Sequence, residues 1–401
     1  MDNEKTKTKK EINIRSASFT LIEVIIIILI TSLIVGVATS VIVYKNYNEI
    51  KASATGGTAS RFSEIEDAYN HILNGYVEKI DESELVNAAI KGMYNYIGDP
   101  YTTYLDEETT NNLMDRLNGE YYGLGVEFTQ AEEGFVVVNV FDGSPAQVAD
   151  IKVGDLLVKV NGEDLDGKTS QEVADLIRNS PSKRIKISVK RASITLTKDV
   201  NLSTITIPAV TKEKYDNVGY IKIDTFSNTT YNQFKSALES LESEGITGLV
   251  IDVRNNGGGY LTAAVDIAEL FLEKGKNIYG LKNQTETKFY QDTTKESKNI
   301  KVAVLMNGAS ASASEILAAA LKESYGATLV GTQSYGKGTV QETSDLKSGG
   351  MVKYTTAYWL TANGNSINQK GLEPDVLVEI NKEEANSEED IQLNKAVEIL
   401  K

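Results

Sequence analysis

From Val218 onward the sequence alternates short apolar runs with segments of helical period: VGYIKI, YNQFKSALESLESE, GLVIDV, LTAAVDIAELFLE, KVAVLMN, SASEILAAALKE and TLVGT. Repetition of strand, helix and strand has few solutions, because each strand buries both faces under the helices that connect it to the next. Residues 203–381 are therefore expected to form an α/β domain built on βαβ units. The 401 residues exceed what a single core usually holds, and the texture changes upstream. Residues 119–202 carry short β-branched runs (VVVNVF, DLLVKVNG, RIKISVKR, ITLTKDVNL) around one helix candidate, QEVADLIRN, which predicts a compact, mostly β domain. Residues 61–118 place Ile65, Ala68, Tyr69, Ile72 and Leu73, then Leu85, Ala88, Ala89 and Met93, at helical spacing, and end near GDPYTTYLD. A small helical module is expected there. Residues 382–401 read as an acidic linker and a short helix, EEDIQLNKAVEIL.

The N-terminus is of another kind. Residues 19–43, FTLIEVIIIILITSLIVGVATSVIV, carry one charge and suffice to cross a bilayer core of ~30 Å as a helix. Lys5, Lys7, Lys9, Lys10 and Arg15 precede this run, so residues 1–18 are expected in the cytoplasm and the rest outside it, in a single-pass cell-membrane protein. Residues 44–60, ending in KASATGGTAS, read as a flexible tether. The apolar run exceeds that of a cleavable signal peptide and no AxA site closes it. SFTLIEV also resembles the processing site of type IV pilin-like proteins, with Glu23 as the glutamate of the mature helix. Ser18 stands where that family has glycine, so a plain anchor is the expectation.

Composition removes several chemistries. Lys+Arg 41 against Asp+Glu 56 gives a net charge of -15, which repels phosphate backbones and argues against nucleic acid as a partner. The chain has no cysteine, hence no thiolate ligand or cysteine nucleophile. Its single histidine, His71, sits in the amphipathic stretch AYNHILNGYVEKI with no serine or acidic motif around it, so a Ser-His-Asp hydrolase is disfavoured. No metal or cofactor is expected.

Two regions suggest sites. In Tyr122, Gly123, Leu124, Gly125 and Val126 (YGLGV), the glycines let successive backbone N–H groups converge on one point, a nest fit for a terminal carboxylate, and the strand that follows offers an edge. With GSPAQVADIKVGDLLVKVNGEDL behind it, the stretch resembles a PDZ domain over 119–202, which implies binding of peptide C-termini. The other region comprises three segments that each follow a predicted strand. NGASASASEI sits before a helix, where N–H groups and the helix dipole favour developing negative charge. Ser312 with Glu315 also spells a capping box, and serine caps outnumber catalytic serines. GTQSYGKGTVQ holds Lys337 between two glycines. To act as a base, a lysine with an ordinary pKa of about 10.4 must lose roughly a thousandfold in proton affinity, about 4 kcal/mol, which burial can supply. IDVRNNGGGY sets Gly257, Gly258 and Gly259 between a strand and a helix, open to a ligand's close approach. The residues alone leave Ser310, Ser312 and Ser314 as equal candidates for the nucleophile.

Together these segments resemble the C-terminal processing peptidases, or tail-specific proteases, over nearly the whole chain after the anchor. NGASASASEILAAAL resembles the family's nucleophile motif, YGKGTVQ its lysine motif, DVRNNGGGYLTAAVDIAELFL its oxyanion-side motif and DPYTTYL its helical-module motif, with GLEPDV near the end. The resemblance implies Ser312 as nucleophile, Lys337 as general base, Gln341 as support for the lysine, and the N–H groups of Ala313 and Gly258 as the oxyanion hole. Gly257 stands where many relatives have proline. The implied activity is a serine endopeptidase cleaving extracytoplasmic or membrane proteins near their C-termini, which the PDZ domain recognises by the terminal carboxylate. Relatives also admit a homodimer through the helical termini, without any heptad pattern here, and an activating protein. The rival readings are a catalytically silent binding protein and a pilin-like subunit.

Overall fold

The structure, a computed structural model, describes residues 59–295, 297–380 and 389–401. The segments expected to form the cytoplasmic tail, the membrane anchor and nearly all of the tether lie outside the described residues, Ser18 and Glu23 among them. No helix of the described residues is long and apolar enough to cross a membrane. The described residues divide into two units, one ending at Ala89 and the other beginning at Ile90. In the first, α1 (Ala59–Gly75) is joined to the start of α2 (Glu82–Ile97) by the Tyr69 hydroxyl, which donates to Glu82 Oε1 at 2.6 Å. The Asp81 carboxylate opens α2 by accepting the N–H groups of Ser83 and Glu84. His71 is exposed on α1.

The second unit departs at once from the expected all-helical module. After the Gly98–Asp99–Pro100 turn comes a strand, β1 (Thr103–Leu105), and only then α3 (Glu107–Asn118). Asp106 caps α3 by accepting the Thr109 N–H, and Gly119, at φ 67°, ends it. Next, β2 (Glu120–Gly123) leads into an antiparallel sheet of β3 (Val126–Ala131), β4 (Gly134–Val140), β5 (Leu156–Val160), β6 (Glu163–Asp164), β7 (Arg184–Arg191) and β8 (Ile194–Asn201), and β9 (Ser203–Thr206) returns to pair with β2. Two helices interrupt it, α4 (Pro145–Val148) and α5 (Ser170–Arg178). Strand β7 shows why the sheet forms. Ile185, Ile187 and Val189 point into the core with Phe135, Val137 and Leu157, while the residues between them face outward.

The remainder is the α/β region that the alternation predicts. Its elements are β10 (Val210–Tyr215), β11 (Val218–Ile223), α6 (Thr230–Ser243), β12 (Gly248–Asp252), α7 (Leu261–Glu269), β13 (Asn277–Lys282), β14 (Thr287–Gln291), β15 (Lys301–Met306), α8 (Ala313–Ala320), β16 (Thr328–Gly331), β17 (Thr339–Asp345), β18 (Met351–Leu360), β19 (Val376–Leu377) and α9 (Ile391–Leu400). Strands β11, β12, β15, β16 and β19 run parallel in that order, with β10 antiparallel at the edge. Every residue of β12 is buried, as a central strand covered on both faces requires. Phe234, Phe271 and Leu317 cover one face, and Leu393 and Val397 of α9 the other. A second, antiparallel sheet joins β1, β18, β13 and β14, with β17 also on β18, and the alternation gave no hint of it.

Candidate active site

The loops after β12, β15 and β16 leave the same end of three neighbouring strands, the carboxyl end, where parallel sheets place their ligands. The loop after β15 holds the three serines, and their surroundings separate them. Ser310 is buried and donates its hydroxyl proton to the Val253 carbonyl at 2.8 Å. Ser314 is buried and donates to the Asn256 carbonyl at 2.8 Å. Both hydroxyls hold this loop to the one after β12. Ser312 is only half-buried and has φ 58° and ψ -116°, a backbone that costs a non-glycine residue about 1–3 kcal/mol and recurs at functional turns.

One glycine after β12, Gly258, approaches this turn closely. At Gly258, φ 104°, a Cβ would lie 2.9 Å from both the Ala311 carbonyl oxygen and the Ser312 Cβ, and 3.1 Å from the Ala313 nitrogen. Gly258 and Ala313 are thus brought together beside Ser312. Ala313 is the first residue of α8, so its N–H has no acceptor within the helix. The Gly258 N–H points elsewhere, to Asn256 Oδ1 at 2.8 Å. A Cβ at Gly257 would meet nothing within 4 Å, so no crowding demands glycine there.

Lys337 is fixed through its backbone. Its N–H donates to Glu315 Oε2 at 3.0 Å and its carbonyl accepts the Trp359 indole N–H at 2.7 Å. Its Nζ lies 4.8 Å from the centre of the Tyr101 ring, and among the described residues no hydrogen bond joins it to Ser312. Burial pushes the Lys337 amine below the ordinary lysine pKa, and Lys353 adds to this, while Glu315 and Asp99 push the other way. Gln341 does not bond to Lys337. Its amide donates to Thr339 Oγ1 at 2.9 Å and Thr355 Oγ1 at 3.2 Å, and Thr355 in turn donates to Asp99 at 2.5 Å. Asp99 also accepts from the Thr102 hydroxyl and the Tyr101 N–H. Burial would raise its carboxyl, but these bonds outweigh it and hold the group low. The Tyr101 hydroxyl is pushed up to about 12 by its hydrogen bond with Tyr335 and by burial.

In the β domain, Tyr122 and Gly123 close β2, Leu124 is buried, Gly125 has φ 82° and Val126 opens β3. The Leu124 and Gly125 carbonyls accept the N–H groups of Ala146 and Phe141, which anchors the loop. It borders a groove of about 440 Å³ between β3 and α5, walled by Phe128 and Ile177 and, on a side the sequence did not disclose, by Asp115 and Arg116 of α3. Asp115 pairs with Arg178 of α5 at 3.0 Å. Among the described residues, the buried Tyr122 hydroxyl has no hydrogen-bond partner.

Residues 217–378 match the family model described as peptidase family S41. The carboxy-terminal processing protease CtpA of Bacillus subtilis (strain 168) is 36% identical over 357 residues, covering 88% of this chain and 76% of that one. The chain belongs to peptidase family S41. A probable CtpA-like serine protease of Staphylococcus aureus (strain COL) is 32% identical over 383 residues, 95% of this chain and 76% of its own. Residues 136–191 of this S41 peptidase match a PDZ domain, and residues 36–109 match the activating protease CtpB N-terminal domain. The solved photosystem II D1 C-terminal processing protease shares 26% identity, covering 78% of this chain and 92% of that one, with a TM-score of 0.45. This S41 peptidase is therefore a serine peptidase of the carboxy-terminal processing kind, as the resemblance implied.

Sequence reasoning missed the groups around Lys337. Asp99 and Tyr101 lie in GDPYTTYL, which reads as the end of a helical module, and they reach the lysine because β1 pairs Thr103 with Lys353 and Leu105 with Met351. No local pattern announces a partner so distant in sequence. Among the described residues, no three His, Cys, Asp or Glu side chains are grouped to hold a metal ion.

Proposed function

We propose that this S41 peptidase cleaves proteins with a Ser312–Lys337 dyad. Lys337, whose proton affinity burial lowers, acts in its neutral form: it swings from the Tyr101 ring and takes the Ser312 hydroxyl proton as Oγ attacks the substrate carbonyl carbon. The oxyanion is held by the Ala313 N–H and by the Gly258 N–H, which exchanges Asn256 for it. The C–N bond breaks and Lys337 passes its proton to the leaving amine. A water then surrenders a proton to Lys337 and attacks the acyl-enzyme carbonyl carbon; the ester C–O bond breaks, Lys337 returns that proton to Ser312 Oγ, and the released acid gives its own proton to solvent as the carboxylate. Gln341 steadies the lysine's surroundings through Thr355 and Asp99.

The observation that carries this reading is that Ser310 and Ser314 spend their hydroxyls on backbone carbonyls, while Ser312 occupies the strained turn beside Gly258 and Ala313. Treatment with a fluorophosphonate, which phosphonylates activated serines, followed by peptide mass mapping, tests it. Modification is expected on Ser312 alone; modification on Ser310 or Ser314 would contradict the assignment.

The reading extends to substrates. The groove beside Tyr122–Val126 receives a substrate's C-terminal carboxylate and its last apolar side chain, delivering the chain for cleavage near that end. Residues 19–43 anchor the peptidase in the cell membrane with its catalytic part outside the cytoplasm, where extracytoplasmic and membrane proteins are the substrates. The exposed Phe62, Ile65 and Ile72 of α1 offer a face for a second copy of the chain or an activating protein.

A further inference from the structure

Glu315 reads in sequence as half of a helix cap, and the structure gives it more to hold. Its side chain is 1% exposed, and no lysine or arginine among the described residues pairs with it. Instead its two oxygens accept four hydrogen bonds. Oε2 takes the Ser312 N–H at 2.9 Å and the Lys337 N–H at 3.0 Å; Oε1 takes the Gly336 N–H at 2.7 Å and the Ser334 hydroxyl at 2.6 Å. The Ser334 oxygen accepts the Leu372 N–H at 2.7 Å, which orients its own proton toward Glu315. All four partners donate, so the group must be an acceptor at both oxygens, and a buried carboxylate is tolerated only when its lone pairs are used in this way. A cap serves its own helix. Here one bond of four does so, and the other three reach the loop that carries the lysine.

We propose that Glu315 is a positioning residue whose carboxylate fixes the Ser312 turn and the Lys337 loop to one another. This rests on the dyad reading. Three features make it more than a cap. The Ser312 backbone is strained, and the Glu315 bond to its N–H holds it there. The lysine loop has little room to shift, because at Gly336, φ 88°, a Cβ would lie 2.7 Å from the Gly371 nitrogen. The charge of Glu315 also acts on the Lys337 amine, favouring its protonated form.

The test uses the full chain and a fluorescently labelled unfolded protein, with kcat and KM followed across pH for wild type, Glu315→Gln and Lys337→Ala. An amide keeps the size but turns an NH₂ group toward donors whichever oxygen it replaces, the Ser312 and Lys337 N–H groups at one and the Gly336 N–H and Ser334 hydroxyl at the other, so the set of four acceptor bonds cannot be kept. The expected result for Glu315→Gln is a kcat lower by about a hundredfold with KM within about twofold, as for misplacement of reacting groups. The acid limb of the pH profile is expected to move to lower pH, because the negative charge that favoured protonated Lys337 is gone. A helix cap alone predicts lower thermal stability with kcat and the acid limb unmoved in the folded protein, and that result would overturn the proposal. If Glu315→Gln does not fold, Ser334→Ala decides. Removal of that donor should lower kcat about tenfold with the acid limb in place, and wild-type kcat would overturn the proposal. Lys337→Ala separates the two claims: cleavage that survives it defeats the dyad itself, whereas an inactive Lys337→Ala beside a wild-type Glu315→Gln defeats only the role of Glu315.

Discussion

The turn around Ser312 and the groove of the β domain solve different problems with different materials. Beside Ser312 the polar groups are committed: Ser310, Ser314, Asn256 and Glu315 are buried and each is hydrogen-bonded across loops. The groove is open, its walls mostly apolar apart from Asp115 and Arg116 of α3, and among the described residues the buried Tyr122 hydroxyl beside it has no partner. Bond making needs atoms placed to a fraction of an ångström, and saturated buried hydrogen bonds supply that. Recognition of varied peptide ends, the role proposed for the groove, needs a surface that accepts different side chains, and mostly apolar walls suit it.

Substitutions can break that contrast. The largest effect is expected from Ser312→Ala, which should lower cleavage of an unfolded protein by at least about 10⁴-fold. Ser310→Ala and Ser314→Ala should retain most of that activity while losing about 1 kcal/mol in chemical denaturation, since each removes one buried hydrogen bond from a carbonyl that keeps a backbone donor, the Asn256 N–H on Val253 and the Ala311 N–H on Asn256. Equal losses of activity in all three would erase the distinction. Gly258→Ala comes next. Its Cβ would press on Ala311 and Ser312 from a backbone at φ 104°, and a fall in kcat of about a hundredfold is expected, comparable to loss of one oxyanion donor.

On the groove side the effects should be smaller and of another kind. Gly125→Ala would set a Cβ 2.3 Å from that of Ser144 at φ 82°, so the loop must shift. The expected outcome is a raised KM for protein substrates with kcat on a short peptide kept; a fall in kcat alone would place the groove in the chemistry. The smallest change is Tyr122→Phe, which removes a buried hydroxyl that has no partner among the described residues. A stability gain of up to about 1 kcal/mol by denaturant midpoint is expected, with cleavage unchanged.

Legibility in sequence follows the same division. Strands β11, β12, β15 and β16 and the helices between them were readable because parallel strands buried on both faces leave continuous apolar runs, and the loops that follow them inherit their place from the sheet. Gly258 and Ala313 therefore meet where expected. What was hidden depends on long-range antiparallel pairing. β1 on β18 carries Asp99 and Tyr101 to Lys337, and β18 carries Thr355 to Gln341, so the glutamine reaches the lysine's surroundings through intermediaries and makes no bond to it. The helix α3 as a wall of the groove was hidden for the same reason: its acidic and basic residues look like an ordinary solvated face. Glu315 was visible, but as a cap, because sequence shows the one bond it makes to its own helix and not the three it makes to another loop.

The central claim is that a neutral Lys337 takes the proton from Ser312. The most direct measurement is kcat/KM for cleavage of an unfolded protein by the full chain across a pH series, for wild type and Lys337→Ala side by side. Protonated Lys337 cannot act as base, and burial lowers its pKa, so wild-type activity should rise with pH through a midpoint below the ordinary value of about 10.4. Lys337→Ala should be inactive at every pH. A Lys337→Ala protein that still cleaves, or a wild-type rate that does not change with pH, would contradict the account.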